Sequence, residues 1–153
     1  MAVRISTGMR NKLLDGGAAG GIKGYFSGVA NAMIQIRTGP QPLTADTAAT
    51  GTLLGTVTVN ADGTTGLTFD AAVAGVISKA AAEAWKFTGV AAGTAGWFRV
   101  YPENGDPTIL STTEGRIDGN IATSGGDMNL SSVSVAVGSP HTVDVFTFTM
   151  PAA

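Results

Sequence analysis

Hydrophobic and polar residues alternate one by one in the last third of the chain. Valine occupies every second position of Val133–Val137, Gly138-Ser139-Pro140 interrupts the alternation, and Val143–Met150 is again rich in β-branched and aromatic residues. Such alternation on both sides of a Gly/Pro turn is typical of two antiparallel strands with one face in a core. The pattern predicts a C-terminal hairpin, preceded by a bend at Ser131-Ser132 where the apolar residues change face.

A second hairpin is predicted nearer the middle of the chain. Leu53–Val59 and Thr65–Phe69 are strand candidates, and Asn60-Ala61-Asp62-Gly63 lies between them. Asp-Gly readily adopts the positive φ angles of a tight turn. Upstream, Met33–Ile36 alternates in the same way and predicts a strand that ends at Arg37-Thr38-Gly39-Pro40.

The segment 71–84 fits two structures. The alanines that follow Lys79 favour helix, whereas Val76 and Ile77 favour strand. Because the neighbouring segments form hairpins, we predict β structure for Gly75–Ala80.

Further strands are predicted on either side of a loop that begins at Pro102. Alternation predicts strands at Ala84–Val90 and Trp97–Tyr101. Asn104-Gly105 then predicts a hairpin turn with a return through Thr108–Ser111. Turn signals recur roughly every 8–12 residues and separate about eight or nine strands, as in β-sandwiches and barrels.

Three charged residues share one face of a strand candidate that follows this loop. Glu114, Arg116 and Asp118 lie two residues apart, with Ile117 on the opposite face. Opposite charges on one strand face predict an ion ladder that fixes strand register or meets a neighbouring molecule.

The first 28 residues read as a short helical N-terminal arm. Ser6-Thr7 is placed to cap a helix, and the glycine-rich segment 16–21 favours a mobile link to a second helical turn. The apolar residues of the two turns are Met9, Leu13 and Leu14, followed by Ile22, Tyr25 and Phe26. The predicted fold class is therefore mainly β: an antiparallel β-sandwich or jelly-roll-like barrel at 29–153, preceded by the arm at 1–28.

Composition excludes several functional classes. Only 13% of the 153 residues are charged and the net charge is −2, so no broad basic field for nucleic acid is expected. The chain has no cysteine, which excludes disulfide scaffolds and thiolate metal sites. No apolar run is long enough for a membrane span, and no signal-peptide pattern follows Met1. We expect neither a membrane nor a nucleic-acid partner.

Candidate catalytic and ligand-binding residues are sparse. His141 is the only histidine, and no nucleophile or orienting group lies near it in sequence. The glycines of Gly20–Gly24 lack the spacing of a phosphate-binding loop. The carboxylates Asp118 and Asp127, or Glu103 and Asp106, are too few for a calcium loop and are typical turn residues. We predict no catalytic residue, no cofactor, no metal and no enzyme activity.

Large aromatic residues occur on several predicted strands. Trp85, Phe87, Trp97, Phe98 and Tyr101 would line a ligand groove if they were exposed. On alternating strands, however, such residues first of all form the core and cross-strand pairs. A core position is the default prediction for them.

Several segments, taken in order, resemble a group of small virion proteins of tailed bacteriophages. These segments are Ser6–Leu14, Ile36–Pro42 with Ala45-Asp46, Gly51–Thr56, Gly93–Arg99, Arg116–Gly119, Thr123–Gly125 and Met128–Leu130. They cover nearly the whole chain, and they are structural rather than chemical motifs. The resemblance implies a non-enzymatic component of the virus particle. Within that class, a capsid decoration (cement) protein is the type that it matches best.

That resemblance also implies partners and a location. A decoration protein binds the major capsid protein on the capsid surface, and this family commonly forms dimers or trimers. We hypothesise that the arm contacts a neighbouring subunit, and that its deletion leaves the β domain folded but abolishes binding. The residues predicted to make this contact are Met9, Leu13, Leu14, Tyr25 and Phe26.

Two other functions remain open at this point. A tail, tail-terminator or baseplate component shares the β fold and the absence of chemistry. A carbohydrate-binding virion surface module would use Trp85, Trp97 and Tyr101, provided that these rings are exposed and coplanar.

Overall fold

The computed structural model describes residues 3–15 and 20–150, beginning with a short strand and two helical turns. β1 is Arg4–Ile5, α1 is Thr7–Asp15, and α2 is Gly21–Gly24, which continues into a π-helical turn at Tyr25–Val29. Ser6 caps α1, because its Oγ accepts the Met9 N–H at 3.0 Å. The predicted helical turns and their cap are confirmed, whereas most of the predicted glycine-rich link at 16–21 lies outside the described residues.

The rest of the described chain is mainly β, in a sandwich-like arrangement, as predicted. The strands are β2 (Ala32–Thr38), β3 (Leu53–Val59), β4 (Val76–Ser78), β5 (Trp85–Thr88), β6 (Gly93–Pro102), β7 (Ile117–Ala122), β8 (Met128–Asn129), β9 (Ser134–Val135), β10 (Pro140–Thr142) and β11 (Thr147–Thr149). A nine-stranded sheet has the order β1-β7-β6-β2-β3-β5-β10, with β8 beside β7 and β9 beside β6. β11 and β4 form a separate two-stranded sheet. Pairing is antiparallel except between β7 and β8.

One face of β2 and β6 lies on the hydrophobic core. Ile34 and Ile36 pair across the strands with Val100 and Phe98, and all four are buried in one apolar cluster. Aromatic rings from distant parts of the chain meet in this cluster at centroid distances of 5.4–6.2 Å. They belong to Phe26, Phe69, Trp85, Phe98 and Phe146. Long-range aromatic packing therefore joins the N-terminal segment to the sheets.

The predicted C-terminal hairpin is wrong, although its turn is where the sequence puts it. Gly138 has a φ of 78°, and the Ser139 N–H donates to Ala136 O at 3.1 Å. The flanking strands do not pair with each other, however, because β9 bonds to β6 and β10 to β5. An isolated hairpin of strands two or three residues long has little stability of its own. Pairing with a strand that is already packed on the core is more stable.

The predicted hairpin after β3 is also wrong in its second strand. Asn60 and Ala61 have φ angles of 56° and 59°, and the Asp62 N–H donates to Val59 O at 3.2 Å, so the tight turn exists two residues earlier than Asp-Gly suggested. β3 then pairs with β5. The segment 65–69 makes only isolated bridges, one of them between Leu67 and Ala32.

Of the strands predicted after residue 70, two are confirmed and one is wrong. β4 lies within Gly75–Ala80 and β5 within Ala84–Val90, so both strands are confirmed. The return strand at Thr108–Ser111 is absent: β6 is followed by a long loop, and its partner is β7. Asn104-Gly105 does form a turn, but it opens that loop.

Candidate functional site: two loops held by buried arginines

The second face of β2, β6 and β7 carries buried polar and charged side chains. Gln35, Arg37, Arg99 and Asp118 alternate with the core residues along these strands and are at most 7% exposed. Two long loops fold over this face, namely residues 39–52 and residues 103–115. We call these two loops the loop platform.

Arg99 lies beneath the point where the two loops meet. Its Nε and Nη2 donate to the two carboxylate oxygens of Asp118 at 2.8 and 2.7 Å. Its Nη1 donates to Thr47 O at 2.8 Å and to Pro107 O at 3.0 Å, one oxygen from each loop. A single buried guanidinium thus ties both loops to the sheet.

Arg116 makes a similar set of bonds under the second loop. Its Nη2 lies 2.6 Å from a carboxylate oxygen of Glu114. It also donates to Ile109 O at 2.9 Å and to Asp106 O at 2.6 Å. The predicted ion ladder is therefore confirmed between Glu114 and Arg116, but Asp118 pairs with Arg99 instead.

Two further arginines hold the first loop. The Arg37 Nη1 donates to Gly51 O at 2.9 Å, and its Nε donates to Gln35 Oε1 at 2.8 Å. The Arg4 Nη1 donates to Pro42 O. Arginines from β1, β2, β6 and the position just before β7 accordingly reach backbone carbonyls in both platform loops.

The two loops also bond directly to each other and to α1. The Ala49 N–H donates to Pro107 O at 3.0 Å, and the Ser111 N–H donates to Asp46 O at 2.9 Å. The Asp46 carboxylate accepts the backbone N–H and the hydroxyl of Thr7, both at 2.7 Å. A carboxylate at the N-terminus of a helix is also favoured by the helix dipole. The platform loops are therefore bonded to the sheet, to each other and to α1.

Burial dominates the electrostatics beneath the platform. It raises the pKa of Asp118, although Arg99 opposes that shift through its hydrogen bonds and charge. It also lowers the pKa of Arg37, with the positive charge of Arg99 acting in the same direction. Removing one partner of such a buried charged pair would leave the other charge uncompensated.

The outer surface of the platform carries large apolar side chains. Leu43 is 86% exposed, Leu110 is 69% exposed and Ile109 is 52% exposed. Sequence reasoning missed them, since loop residues show neither a helical nor a strand period. Both loops of the platform therefore carry exposed apolar side chains.

The structure places the predicted arm contacts in different surroundings. Met9, Tyr25 and Phe26 are buried in the chain's own core cluster, so they cover this domain and are not available to a partner. Leu13 lines an apolar cavity of about 250 Å³, and Leu14 is 84% exposed. The contact hypothesis is therefore corrected for the three core residues, because the helical turns already have a docking surface.

The docking of the N-terminal segment is tight. The Gly115 N–H donates to the Tyr25 hydroxyl at 3.1 Å. A Cβ at Gly115 would lie 2.5 Å from the Tyr25 ring, and a Cβ at Gly8 would lie 2.4 Å from Glu114 O. Such close approaches require glycine, so α1 and the platform loop 103–115 fit together as one unit.

The residues considered as candidates for catalysis, sugar binding or metal binding do not come together in a site among the described residues. His141 stacks on Phe87 at 4.7 Å and contacts Ser139 Oγ at 2.9 Å. Trp85 and Trp97 are fully buried, so they cannot stack on a sugar from solution. Within residues 3–15 and 20–150, no group of three metal-binding side chains comes together.

Comparison with known proteins found no matching family model, no matching curated protein and no matching solved structure. Among the residues that the structure describes, no helix has the length and apolar character needed to cross a membrane.

Proposed function

We propose that this protein is a structural component of a tailed-phage virion, and specifically a decoration protein that binds the outer capsid shell at capsomer junctions through the loop platform. The observation that carries the proposal is the platform itself. Its exposed apolar residues stand on loops that buried arginines hold in one conformation. The resemblance of the sequence segments to small virion proteins supports the same role.

Rigid loops suit this role for a thermodynamic reason. A flexible loop loses conformational freedom when it binds, and that loss subtracts from the affinity. The loops here are bonded to Arg99, Arg116 and Arg37 before any partner arrives. Most of the free energy from burying Leu43 and Leu110 would then appear as binding.

The shell supplies the second part of the affinity. A decoration protein stabilises a capsid because its contact surface exists only on the assembled particle. Simultaneous contacts with several subunits multiply weak individual affinities. Apolar side chains on two separate loops allow one molecule to reach two neighbouring subunits.

The direct test is co-sedimentation of the purified chain with expanded empty shells of the virus that encodes it. Saturable binding at hundreds of copies per shell, with density over capsomer junctions in a cryo-electron map, is the expected result. Density only at the tail, at about six or twelve copies, would replace this function with a tail or baseplate role. No density on the particle would refute both.

A further inference from the structure

The turn that opens the second platform loop contains a chemically labile pair of residues, Asn104 and Gly105. Asn104 is exposed, and the Gly105 N–H donates to Pro102 O at 2.8 Å, which closes the turn. The sequence contains six asparagines, and only Asn104 is followed by glycine. Asparagine is a thermally labile residue, and a following glycine has no side chain to hinder attack by its backbone nitrogen on the carboxamide.

The glycine of this pair is required by its surroundings. A Cβ at Gly105 would lie 2.9 Å from Pro102 Cγ and 3.1 Å from the carboxyl carbon of Glu114. Any other amino acid would carry that Cβ, so the turn would have to shift to accept it. The fold therefore keeps an unhindered backbone nitrogen directly after the Asn104 carboxamide.

Hydrogen bonds hold this turn in a conformation that slows the attack. The Gly105 nitrogen is engaged with Pro102 O, and the Asp106 N–H donates to Glu114 Oε1 at 3.0 Å. The Arg116 Nη2 donates to Asp106 O at 2.6 Å on the other side of the turn. The Gly105 nitrogen has to leave Pro102 O before it can turn toward the side chain. Local opening of the turn is therefore the first step of any reaction at this pair.

We propose that Asn104 is a self-modification site, at which the chain converts this asparagine into isoaspartate and aspartate at a rate set by opening of the platform turn. The site and its chemistry do not depend on the shell-binding function proposed above. Only the effect of the modification on shell binding rests on that function.

The reaction needs no partner other than water. The Gly105 nitrogen attacks Cγ of Asn104 and forms a new C–N bond, because the two groups are held on adjacent residues. The attacking nitrogen gives its proton to solvent, and the side-chain nitrogen takes up a proton and leaves as ammonia. Water then opens the cyclic imide at either carbonyl, which yields aspartate or isoaspartate. No bond is oxidised or reduced.

Isoaspartate would disturb the anchoring of the loop. It inserts one methylene into the main chain just before the two carbonyls that the buried arginines bind, namely Asp106 O at Arg116 and Pro107 O at Arg99. The extra main-chain atom displaces these oxygens from guanidiniums that are fixed by the sheet. A new negative charge also appears in the segment 103–115, which contains acidic residues but no lysine or arginine.

Peptide mapping of the aged protein tests the site. Trypsin releases residues 100–116, in which Asn104 is the only asparagine, and residues 38–79, in which Asn60 is the only one. Asn60 is the matched control, since it is exposed in a tight turn but is followed by alanine. After incubation of the folded chain at mildly alkaline pH, we expect carboxyl in place of carboxamide at Asn104 and an unchanged Asn60. No conversion at Asn104, or equal conversion at both, would overturn the proposal.

A comparison of folded and unfolded chain tests the control by the turn. The full chain unfolded in guanidinium chloride should convert at Asn104 about tenfold or more faster than the folded chain, because the turn is then permanently open. Glu114→Gln, which weakens the bonds on both sides of the turn, should accelerate conversion in the folded chain about threefold or more. Glu103→Gln, the same change at an exposed neighbour, is the control. Equal rates in the folded and unfolded chain would show that the turn does not set the rate.

Hydrogen exchange measures the effect on the platform. The Ala49 N–H, which donates to Pro107 O in the other loop, should exchange about tenfold or more faster in chains that carry isoaspartate. Asn104→Asp has the same charge without the extra methylene, so it should stay near wild type. Unchanged protection of Ala49 in the isoaspartate form would refute the effect on the loops. These measurements use no capsid, so their failure is distinguishable from failure of the shell-binding proposal.

Discussion

The guanidinium of Arg99 and the carboxylate of Asp118 form a bidentate ion pair in which neither side chain is exposed to solvent. The pair lies on the face of the sheet that points away from the hydrophobic core. It connects the strands to the two loops that carry the exposed apolar residues.

Loss of Arg99 should be strongly destabilising. Arg99→Met leaves Asp118 buried without its partner, so we expect the free energy of unfolding to fall by about 3–5 kcal/mol. Denaturant unfolding measures the change. Arg10→Met, a substitution at an exposed residue, is the control and should stay within about 0.5 kcal/mol of wild type. A similarly small effect of Arg99→Met would show that the pair does not hold the loops.

The apolar residues of the platform should matter for binding and not for folding. Leu43→Asp and Leu110→Asp should each reduce shell binding by about tenfold or more, because a charge replaces an apolar contact. Val137→Asp is a matched control, since Val137 is 70% exposed but lies in the turn before β10. Co-sedimentation gives the affinity, and thermal unfolding checks the fold. Equal effects of all three variants would exclude the platform as the contact surface.

The N-terminal segment should be required for folding. Phe26→Ala removes a fully buried ring from the aromatic cluster, so we expect a loss of about 3–5 kcal/mol. Leu14→Ala, at an exposed position of the same segment, should be nearly neutral. Removal of residues 1–28 should leave an aggregated or unfolded chain by circular dichroism. A soluble, folded fragment would instead support a separable arm.

Asp62 should contribute to the acid sensitivity of the fold. Hydrogen bonds from Thr65 and Thr64 lower the pKa of this exposed carboxyl from 3.8 to about 2. Because the folded-state pKa lies below the unfolded one, the stabilisation is complete above the ordinary pKa and disappears as the pH falls toward 2. Asp62→Asn should therefore lower stability at neutral pH and flatten the decline in acid. Urea midpoints across this pH range measure the effect, and an unchanged profile would contradict it.

Local sequence patterns predict the strands, the helix cap and the turns better than they predict which strands pair with each other. The alternation of β2, β3 and β5, the Ser6 cap and the turn at Gly138 all follow from neighbouring residues. The pairing of β9 with β6 does not, because the choice of partner depends on which edges the finished core leaves open. The alternating pattern therefore predicts hairpins at places where the chain instead crosses to another strand.

The loop platform could not be predicted from the sequence, because most of its contacts join residues that are far apart along the chain. Glu114 and Arg116 are two residues apart, so their pairing was foreseeable. Arg99 and Asp118 are 19 residues apart, and only the register of β6 and β7 brings them together. The apolar residues of the N-terminal segment were recognised, but their burial against Gly115 depends on a loop far away in sequence.

The arginines beneath the platform bind mainly main-chain oxygens, those of Thr47, Gly51, Asp106, Pro107 and Ile109. Every amino acid supplies such an oxygen, so replacing an outward-facing side chain of these loops leaves the anchoring intact. The surface can consequently diversify by point substitution while its scaffold stays constant. A lineage of related chains could follow changes in its binding partner in this way without rebuilding the fold.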